Sequence, residues 1–439
     1  MSKVVTELKE KIKDRSAKIG VIGLGYVGLP LAVEFGEAGF SVTGIDVDSR
    51  KVKGLQAGRS HVEDVPSEAV AKLVKSRKFR ARDRYAGCGK FDAVFICVPT
   101  PLRKTKDPDI SYIVSSLEEL AKEIRRGQLV ILESTTYPGT TEEVLRPRLE
   151  QSGLRAGKDF FLAFSPERVD PGNQQFQTHN TPKVVGGVTK TCGVVAAELY
   201  RQAIQEVHIV SSSQAAEMIK LLENTFRAVN IALVNEIALM CDRLGLDVWE
   251  VIDGAATKPF GFMRFYPGPG IGGHCIPLDP HYLSWKLKTL NYSARFIDLA
   301  SDINGNMPPV VVRKVGELLN ERRKSVKGAK ILVLGVAYKK DTGDLRESPA
   351  LDIMRLLEDQ GAKLRFHDPY NSSLELEGGR TYRRTALTRA ALSGSDLVVI
   401  VTDHSDYDYD MVVRHAKAVF DTRNATAKVR RGRSKIHKL

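Results

Sequence analysis

Short apolar runs alternate with helix-like patterns through the first half of the chain. A strand-like run at 18–22 is followed by helical spacing at 29–38, which ends at Gly39, and then by a second strand-like run at 41–45. Further apolar runs of strand length lie at 93–97, 129–133, 161–164 and 183–186, and the series ends near Val210. Strands that alternate with helices predict a parallel, doubly wound α/β sheet.

The segment at 213–244 has a different pattern. Its apolar residues recur at intervals of three and four positions, and no proline or glycine interrupts them before Gly245. They are Met218, Leu221, Leu222, Phe226, Val229, Leu233, Ile237 and Met240. This spacing predicts one long helix, which we interpret as the spine that joins two domains.

A second α/β pattern begins at Lys330. Strand-like runs lie at 331–334, 363–367 and 397–401, and a helical segment lies at 349–359. We therefore predict an α/β fold of two Rossmann-like, doubly wound parallel-sheet domains joined by a long central helix. The predicted divisions are a Rossmann domain at 1–210, a central helical region at 211–310 and a second Rossmann-like domain with a basic tail at 311–439.

Length and composition agree with several globular domains. A chain of 439 residues exceeds what one hydrophobic core usually supports, and 42% hydrophobic with 27% charged residues is ordinary for such proteins. No apolar run approaches the roughly 18 residues of a membrane span, and the start of the chain lacks the apolar core of a secretory signal. The five cysteines form no CxxC pair, which favours a reducing cytoplasm over a disulfide framework.

The net charge of +13 is compatible with nucleic acid or with small polyanionic ligands as partners. Part of this charge lies in the tail at 428–439, which has six Lys or Arg residues and no acid. Such a tail is typical of a solvated or disordered end. Because the chain has no nucleic-acid motif, we expect a small anionic ligand and no nucleic-acid partner.

A glycine-rich turn predicts a dinucleotide site. Gly23, Gly25 and Gly28 form G-x-G-x-x-G between a predicted strand and a predicted helix. The first glycine makes the turn, the second admits a pyrophosphate, and the third lets the helix pack on the strand. Asp46 follows the next strand and would accept hydrogen bonds from ribose hydroxyls, which favours NAD over NADP.

Two segments with threonines follow later strands, VPTP at 98–101 and STTYP at 134–138. Ligands of open α/β sheets bind outside the carboxyl ends of the strands. The threonine hydroxyls are therefore candidates to contact nicotinamide, ribose or water, although each could equally cap its own turn.

Three further polar residues have a functional and a structural interpretation. Lys220 and Asn224 are four residues apart on the long helix, so they share a face and interrupt its apolar stripe. Lys220 is either a side chain with a solvated head or a cation that stabilises an oxyanion and a thiolate in a cleft. Glu167 follows a strand, and a salt bridge with Arg168 is the simpler interpretation when it is taken alone.

One cysteine lies in a loop that cannot be regular structure. Half of the residues in FYPGPGIGGHCIPLDP, at 265–280, are Gly or Pro, which predicts a stiff, tightly turned loop. Cys275 is either a small buried hydrophobe or a nucleophile whose thiolate a nearby ammonium would favour. Metal binding through His274, Cys275 and His281 is disfavoured, because adjacent residues of a constrained loop rarely share one ion.

Together these features resemble the UDP-glucose/UDP-N-acetylhexosamine 6-dehydrogenase family. A dinucleotide site beside a reactive thiol suits a two-stage oxidation, in which cysteine traps an aldehyde as a thiohemiacetal and then forms a thioester. The matching segments are GLGYVGLP (23–30), CVPTP (97–101), ESTTYPGTTEE (133–143), FSPERVDPGN (164–173), the Lys220/Asn224 helix, GPGIGGHCIPLDP (268–280), GVAYKKDTGDLRESPA (335–350) and FDTRN (420–424).

The resemblance implies a role for each candidate residue. Cys275 would be the nucleophile, Lys220 would stabilise the oxyanion with help from Asn224, and Asp279 would assist proton transfer. Thr136 and Glu167 would position and activate the hydrolytic water. The expected cofactor-binding residues are Gly23, Gly25, Tyr26, Val27, Gly28, Asp46, Val98, Thr100, Pro101, Thr135 and Arg346. The expected substrate-binding residues are Glu167, Arg168, Lys220, Asn224, Tyr266, Gly268, Gly272, Lys339 and Arg423.

The resemblance also implies a UDP-binding second domain, a UDP-sugar substrate and a homodimer or higher oligomer with the long helix at the contact. The substrate-loop arginine of glucose-type members aligns near Pro259, where Arg264 or Lys258 could substitute. His274 stands where those members typically have serine, which favours a UDP-N-acetylhexosamine, most of all UDP-N-acetylglucosamine. UDP-glucose, the manno and galacto epimers, and a single-step hydroxyacid dehydrogenase stay open as alternatives, as does a catalytically idle dinucleotide-binding protein.

Overall fold

The structure, a computed structural model, describes residues 3–103, 107–169, 173 and 175–439. The chain forms two compact units. The first unit comprises Met1–Glu223 and His281–Tyr292, and the second comprises Asn224–Pro280 and Ser293–Leu439. Residues 170–172 of the FSPERVDPGN segment lie outside the described residues. The expected three-part division at 210 and 310 stays a prediction.

An eight-stranded sheet forms the centre of the first unit. The strand order is β3-β2-β1-β4-β5-β6-β7-β8, which is the doubly wound pattern expected from the alternating apolar runs. The strands are β1 Lys18–Ile22, β2 Ser41–Ile45, β3 Phe79–Arg82, β4 Ala93–Ile96, β5 Leu129–Leu132, β6 Phe161–Phe164, β7 Lys183–Gly187 and β8 Val207–Val210. The α/β fold class with Rossmann-like sheets is therefore confirmed.

One strand pair runs against the expected direction. β7 lies antiparallel to β6, with Ala163 opposite Gly187 and Phe164 opposite Gly186, whereas β1 to β6 pair in parallel. A parallel pair needs a crossover, usually a helix, whereas an antiparallel neighbour needs only a loop. The described residues between β6 and β7 contain no helix, which accounts for the reversal. The start of β7 therefore lies at the same edge as the ends of β5 and β6.

Helices cover both faces of this sheet, and apolar clusters fill each face. On one face the rings of Phe35, Phe40, Phe95 and Tyr200 pack together, with neighbouring centroids 5.1 to 6.2 Å apart. The helices are α1 Lys3–Lys13, α2 Gly28–Glu37, α3 Ser49–Gln56, α4 Ser67–Lys75, α5 Ser111–Ala121, α6 Arg146–Glu150 and α7 Lys190–Tyr200. A π-helical turn over Thr141–Leu145 leads into α6.

The predicted long helix is present as α8, Ser213–Leu244. Its polar and apolar residues do not lie where the sequence pattern suggested. Lys220 and Asn224 are buried, whereas Leu222 and Phe226 are exposed. Residues two apart on a helix point in roughly opposite directions, so the two polar residues lie across the helix from these apolar positions. They do not interrupt the apolar stripe.

The second unit contains a five-stranded sheet of order β10-β9-β13-β14-β15, in which every pair is parallel. Its strands are β9 Lys330–Leu334, β10 Lys363–His367, β13 Leu397–Ile400, β14 Val419–Asp421 and β15 Ile436–Lys438, and a small hairpin pairs β11 Ser373–Glu375 with β12 Thr381–Arg383. The remaining helices are α9 Val248–Ala255, α10 Asp279–Lys288, α11 Arg295–Gly305, α12 Met307–Glu321, α13 Pro349–Asp359, α14 Arg389–Ser393 and α15 Tyr409–His415.

The basic tail is ordered, so its interpretation as a solvated or disordered end is wrong. β15 extends the sheet beside β14, with Ile436 opposite Val419. The ammonium of Lys435 donates to the carbonyls of Arg414 and Ala416 at 3.0 and 2.9 Å, and Lys438 pairs with Asp247 at 2.7 Å. Backbone pairing and these contacts outweigh the repulsion between like charges.

Among the described residues, none of the helices combines the length and the apolar character that a bilayer-spanning segment requires.

Candidate functional site

The glycine-rich turn of the first unit has the geometry of a dinucleotide cradle. Gly23 has a φ of +88°, and a Cβ there would lie 2.5 Å from the carbonyl oxygen of Cys97. A Cβ at Gly28 would collide with the carbonyl of Gly23. A Cβ at Gly25 would meet no heavy atom within 4 Å. The fold thus requires the outer two glycines for its own packing, while the middle one faces open space in which a pyrophosphate fits.

Asp46 follows β2 and supports the same turn. Its two carboxylate oxygens accept from the backbone N–H groups of Leu24 and Asp48, each at 2.9 Å. A carboxylate oxygen has more than one acceptor direction, so these bonds leave capacity for ribose hydroxyls. The imidazole of His61 contacts the carbonyl oxygen of Leu24 at 2.7 Å, which holds the next peptide group of the turn. Tyr26 and Val27 lie in this turn, Tyr26 exposed and Val27 half-buried.

The threonine segments lie at the carboxyl ends of β4 and β5. The hydroxyl of Ser134 donates to the carbonyl of Val98 at 2.7 Å and so joins the two strand ends. The hydroxyls of Thr136 and Thr140 lie 2.6 Å apart in a buried pair. The carbonyl of Thr100 accepts from the Tyr282 hydroxyl. Pro101 and Thr135 are half-buried at this edge.

Glu217 of α8 holds the chain just after Thr136. Its carboxylate accepts from the backbone N–H groups of Gly139 and Thr141 at 2.6 and 2.9 Å and from the Thr141 hydroxyl at 2.6 Å. Burial raises the pKa of Glu217 to about 7, although these three donors act in the opposite direction. The sequence reasoning missed this residue, because a glutamate one turn before Lys220 looks like an ordinary surface acid.

Glu167 and Lys220 meet in the first unit. The Lys220 ammonium donates to the backbone carbonyl of Glu167 at 2.6 Å. Only 7% of Lys220 is exposed, so the alternative of a lysine with a solvated head is wrong. The Glu167 carboxylate accepts from the backbone N–H groups of Arg168 and Val169 at 2.7 and 2.8 Å.

Glu167 and Arg168, both among the described residues, do not form the salt bridge that their adjacency in the sequence suggested. The Arg168 guanidinium instead pairs with Glu223 at 2.6 Å and donates to the Pro182 carbonyl at 2.8 Å. The charged partner of Glu167 is Lys183, at 3.2 Å. Burial would raise the pKa of Glu167, but the Lys183 charge and the backbone donors lower it overall.

Lys183 belongs to a buried group that the sequence reasoning missed. Its ammonium pairs with Glu133 at 2.7 Å, and Glu133 also accepts from the Tyr200 hydroxyl. The sequence signal is a lysine at the head of the apolar strand KVVGG. Without the direction of β7, that lysine could not be assigned to the carboxyl edge of the sheet.

The second unit contains Cys275, in the irregular loop that the sequence predicted. The N–H of Gly273 donates to the Arg346 carbonyl at 2.9 Å. A Cβ at Gly272 would lie 2.5 Å from the Cβ of Tyr338, and Gly273 has a φ of +87°. The two glycines thus let the cysteine loop pack closely on the segment between β9 and α13. Cys275 itself is partly exposed.

Asp279 and Asn224 are adjacent to this cysteine loop. The Cys275 carbonyl accepts from the N–H groups of Leu278 and Asp279 at 3.2 and 2.8 Å, which turns the chain into α10. The buried Asp279 carboxylate accepts from the Asn224 amide at 2.5 Å. Three of the predicted catalytic residues are therefore together in the second unit.

Arg423 follows β14 and packs against Gly268. Its Nε donates to the Val401 carbonyl at 3.1 Å, and a Cβ on Gly268 would collide with the guanidinium. Burial lowers the pKa of Arg423, against the opposing effect of the Asp403 charge. The Gly268 N–H donates to the Asn235 side chain at 2.9 Å. Arg423 and Gly268, each expected to bind substrate, therefore lie in contact.

The other candidates of the second unit have contacts of their own. The Lys339 carbonyl accepts from the Thr342 hydroxyl at 3.1 Å in the loop after β9. Arg346, expected at the cofactor, forms a bidentate pair with Asp344 at 3.0 and 2.6 Å. The Tyr266 hydroxyl donates to Asp253 at 2.6 Å. Within the described ranges, no group of three or more His, Cys, Asp or Glu side chains could hold a metal ion.

Comparison with known families gives consecutive matches along the chain. The NAD binding domain of the UDP-glucose/GDP-mannose dehydrogenase family matches residues 17–204. The central domain of that family matches 214–306, and its UDP binding domain matches 332–428.

Named relatives match over nearly their whole length. The UDP-N-acetyl-D-mannosamine dehydrogenase of Pyrococcus horikoshii is 36% identical over 93% of this chain and 95% of its own. The UDP-N-acetyl-D-glucosamine 6-dehydrogenase of Pseudomonas aeruginosa is 35% identical over 90% of this chain and 92% of its own. A solved structure of the UDP-D-ManNAc dehydrogenase of Pyrococcus horikoshii superposes with a TM-score of 0.84 at 35% identity, covering 93% of this chain and 96% of that one.

Proposed function

The chain belongs to the UDP-glucose/GDP-mannose dehydrogenase family as an NAD-dependent UDP-sugar dehydrogenase, and we propose that its substrate is a UDP-N-acetylhexosamine oxidised at C6 to the uronate. The observation that carries this proposal is the Cys275 loop, with the Asn224–Asp279 pair beside it. A simple alcohol dehydrogenase has no use for a thiol in such a loop, whereas a four-electron oxidation does.

The reaction that we propose has four covalent steps. The C6 alcohol loses a hydride and a proton to give the aldehyde. The Cys275 thiolate adds to that carbonyl, and the thiohemiacetal loses a second hydride to give a thioester. Water then cleaves the carbon–sulfur bond, which releases the carboxylate and returns the thiol. NAD supplies the hydride acceptor twice, so each sugar consumes two NAD and one water and yields two NADH.

Each candidate group has a stated role in this proposal. Lys220, fixed by the Glu167 carbonyl, would stabilise the alkoxide and the thiohemiacetal oxyanion. Asp279, fixed by Asn224, would take part in proton transfer near the thiol. Thr136 and Glu167 would orient the water. Arg423 and Lys339 supply cations for the diphosphate.

Among the possible sugars we propose UDP-N-acetylglucosamine first. His274 before the nucleophile favours an N-acetylhexosamine over glucose, and Ile276-Pro277-Leu278 after it favours the gluco over the manno epimer. The two relatives described above are named for different epimers, so an epimer panel is needed. We expect the highest kcat/KM with UDP-N-acetylglucosamine among its gluco, manno and galacto forms and UDP-glucose.

Product stoichiometry tests the chemistry. We expect two NADH per UDP-N-acetylglucosamine consumed and the uronate as the final product. Cys275→Ala should yield no acid, while Cys241→Ala, a buried cysteine of α8, serves as the matched control. One NADH per sugar, or a fully active Cys275→Ala enzyme, would point to the single-step hydroxyacid dehydrogenase. No turnover with any UDP-sugar would indicate an idle dinucleotide-binding protein.

We also propose that the protein is at least a homodimer, formed through α8. Phe226, Leu233 and Met240 recur every seven residues on that helix, and each is 45 to 52% exposed. An exposed apolar row of this kind is unusual on a monomer, and it can pair with the same row of a second copy. Leu233→Glu should therefore shift the sedimentation coefficient toward monomer. Tyr112→Glu, at a similarly exposed site on α5, should not, and a monomeric parent protein would end the proposal.

A further inference from the structure

Four charged side chains lie at the carboxyl edge of the first sheet, where Glu167 is held. Lys183 bridges Glu133 at 2.7 Å and Glu167 at 3.2 Å. Lys220 donates to the backbone of Glu167. Lys183 is 3% exposed and Glu133 is fully buried. The charges of the two carboxylates and the two ammonium groups cancel, as a buried cluster of charges requires.

The reversed strand is what brings Lys183 to this place. Glu133 directly follows β5, and Glu167 lies three residues beyond β6. Lys183 opens β7, whose antiparallel direction puts its first residue at the edge where β5 and β6 end. A β7 parallel to β6 would have put the lysine at the opposite edge of the sheet. The topology thus delivers a buried cation to the side of the sheet where ligands bind.

We infer that Lys183 is a positioning residue, which orients the Glu167 carboxylate and keeps it ionised for the hydrolysis of the thioester. Backbone N–H groups occupy one oxygen of that carboxylate, and the Lys183 ammonium occupies the other. These contacts therefore fix the orientation of the Glu167 carboxylate and favour its ionised form. Glu133 in turn fixes Lys183, and the Tyr200 hydroxyl fixes Glu133.

The electrostatic setting agrees with this geometry. Burial raises the pKa of Glu133, whereas at Glu167, whose side chain is 14% exposed, the effect of burial is outweighed by Lys183 and the backbone donors, which lower the pKa. The titratable and charged groups that face Glu167 come from four elements around it. They are Cys97 after β4, Glu133 after β5, Lys183 on β7 and Lys220 on α8. Of these, only the two lysines favour the ionised form of Glu167.

This inference rests on the proposed function, so the variants must separate Lys183 from the rest of the group. Removing Lys183 alone would leave two buried carboxylates, and Glu133 would then take up a proton. E133Q is therefore the reference, because it retains the Lys183–Glu167 pair without the second acid. E133Q/K183M removes that pair, and E133Q/K183R restores a cation at the same position.

The readout is the pH dependence of acyl-enzyme hydrolysis in single turnovers. Mass spectrometry of the acyl adduct on Cys275 follows this hydrolysis. Without Lys183 the pKa of Glu167 rises, so the acid limb should move up by about one to three pH units in E133Q/K183M relative to E133Q. On the alkaline side the rates should converge, and E133Q/K183R should return the limb to its original position. An unmoved acid limb, or a uniform loss of rate that arginine does not reverse, overturns the inference.

A measurement without substrate separates this inference from the proposed function. Beyond the protonated-carboxyl band of Glu217, which all variants share, a second such infrared band should appear at higher pH in E133Q/K183M than in E133Q, and E133Q/E167Q/K183M should lack this second band. Identical titrations in the first two variants overturn the role of Lys183 even if the enzyme is active. If the bands differ but no UDP-sugar acylates Cys275 in the parent enzyme, then the proposed function fails while the Lys183–Glu167 coupling stands.

Discussion

In the first unit the chain leaves β1 at Gly23 and enters α2 at Gly28, whereas in the second unit it leaves β9 at Gly335 and enters α13 only at Pro349. Both turns begin with a glycine at positive φ, and a Cβ would be excluded by backbone in each case. After that first residue the two turns diverge. Gly25 faces open space, but Ala337, at the same distance from its strand, is fully buried.

The two turns also differ in how they use the aspartate that follows the second strand of each sheet. Asp46 accepts from one N–H of its turn, that of Leu24. Asp368, which follows β10, accepts from two, those of Val336 and Ala337, at 2.8 and 3.2 Å. In the second turn, the Asp368 carboxylate therefore accepts from the N–H groups that a bound phosphate would need.

A histidine completes the closure of the second turn. His404 is fully buried, and its Nδ1 accepts from the Asp341 N–H at 3.0 Å. Its Nε2 must then carry the proton, which it donates to Asp368 at 3.0 Å. The longer segment 335–348 between strand and helix carries Lys339 and packs on the cysteine loop. One topology thus serves a dinucleotide in the first unit and, under the proposed function, holds substrate-binding loops in the second.

The largest predicted effect is the difference in stability between the variants Asp368→Asn and Asp46→Asn. Asp368→Asn removes a buried charge from several donors and from His404, so the free energy of unfolding should fall by about 3 kcal/mol. Asp46→Asn retains an acceptor at a more open position and should change it by less than about 1 kcal/mol. Denaturant titration checks both, and equal losses would mean that the two acids serve the same structural purpose.

A side chain at Gly25 tests the open space directly. Gly25→Val should raise the KM for NAD about 100-fold, roughly 2.7 kcal/mol, because its methyl groups would occupy the place of the pyrophosphate. The melting temperature should hardly change, since a Cβ there meets no atom. Gly254→Ala, at another position where a Cβ meets nothing, is the control, and an unchanged KM in Gly25→Val would remove the pyrophosphate from this turn.

The role of Asp46 in cofactor choice is expected to be smaller. Asp46→Asn loses the charge that accepts from the ribose hydroxyls, so kcat/KM for NAD should fall about tenfold, roughly 1.4 kcal/mol. The discrimination against NADP should narrow by a similar factor, because the repulsion of the 2′-phosphate is reduced. Steady-state kinetics with both cofactors checks this, and an unaltered NAD/NADP ratio would contradict it.

The smallest effect concerns acid stability. Burial would raise the pKa of Asp368, but hydrogen bonds from His404 and the turn lower it well below its ordinary value. Its stabilising contribution is therefore complete above the unfolded-state pKa of about 3.9 and is lost as the pH falls through the folded value. The loss should be about 0.3 kcal/mol at pH 4, and Asp368→Asn should lack it. Denaturant midpoints at pH 7 and pH 4 in both proteins measure the difference.

Much of the molecule followed from local pattern. The strand runs, the long helix and the loop around Cys275 were predictable, because apolar periodicity, glycine and proline act over a few residues. The Gly23–Gly28 turn and Asp46 were predictable for the same reason. The tail was misread, because its charges are local whereas its pairing with β14 is not.

What the sequence by itself determined was the list of reactive groups and the elements that carry them. The tertiary structure decided their partners. In the structure, Lys183 and not Arg168 is the ion-pair partner of Glu167. Lys220 is buried on the side of α8 away from the exposed leucines, and β7 runs antiparallel to β6. Each of these depends on contacts between residues distant along the chain, whose burial makes a charge select its partner by geometry and not by proximity in sequence.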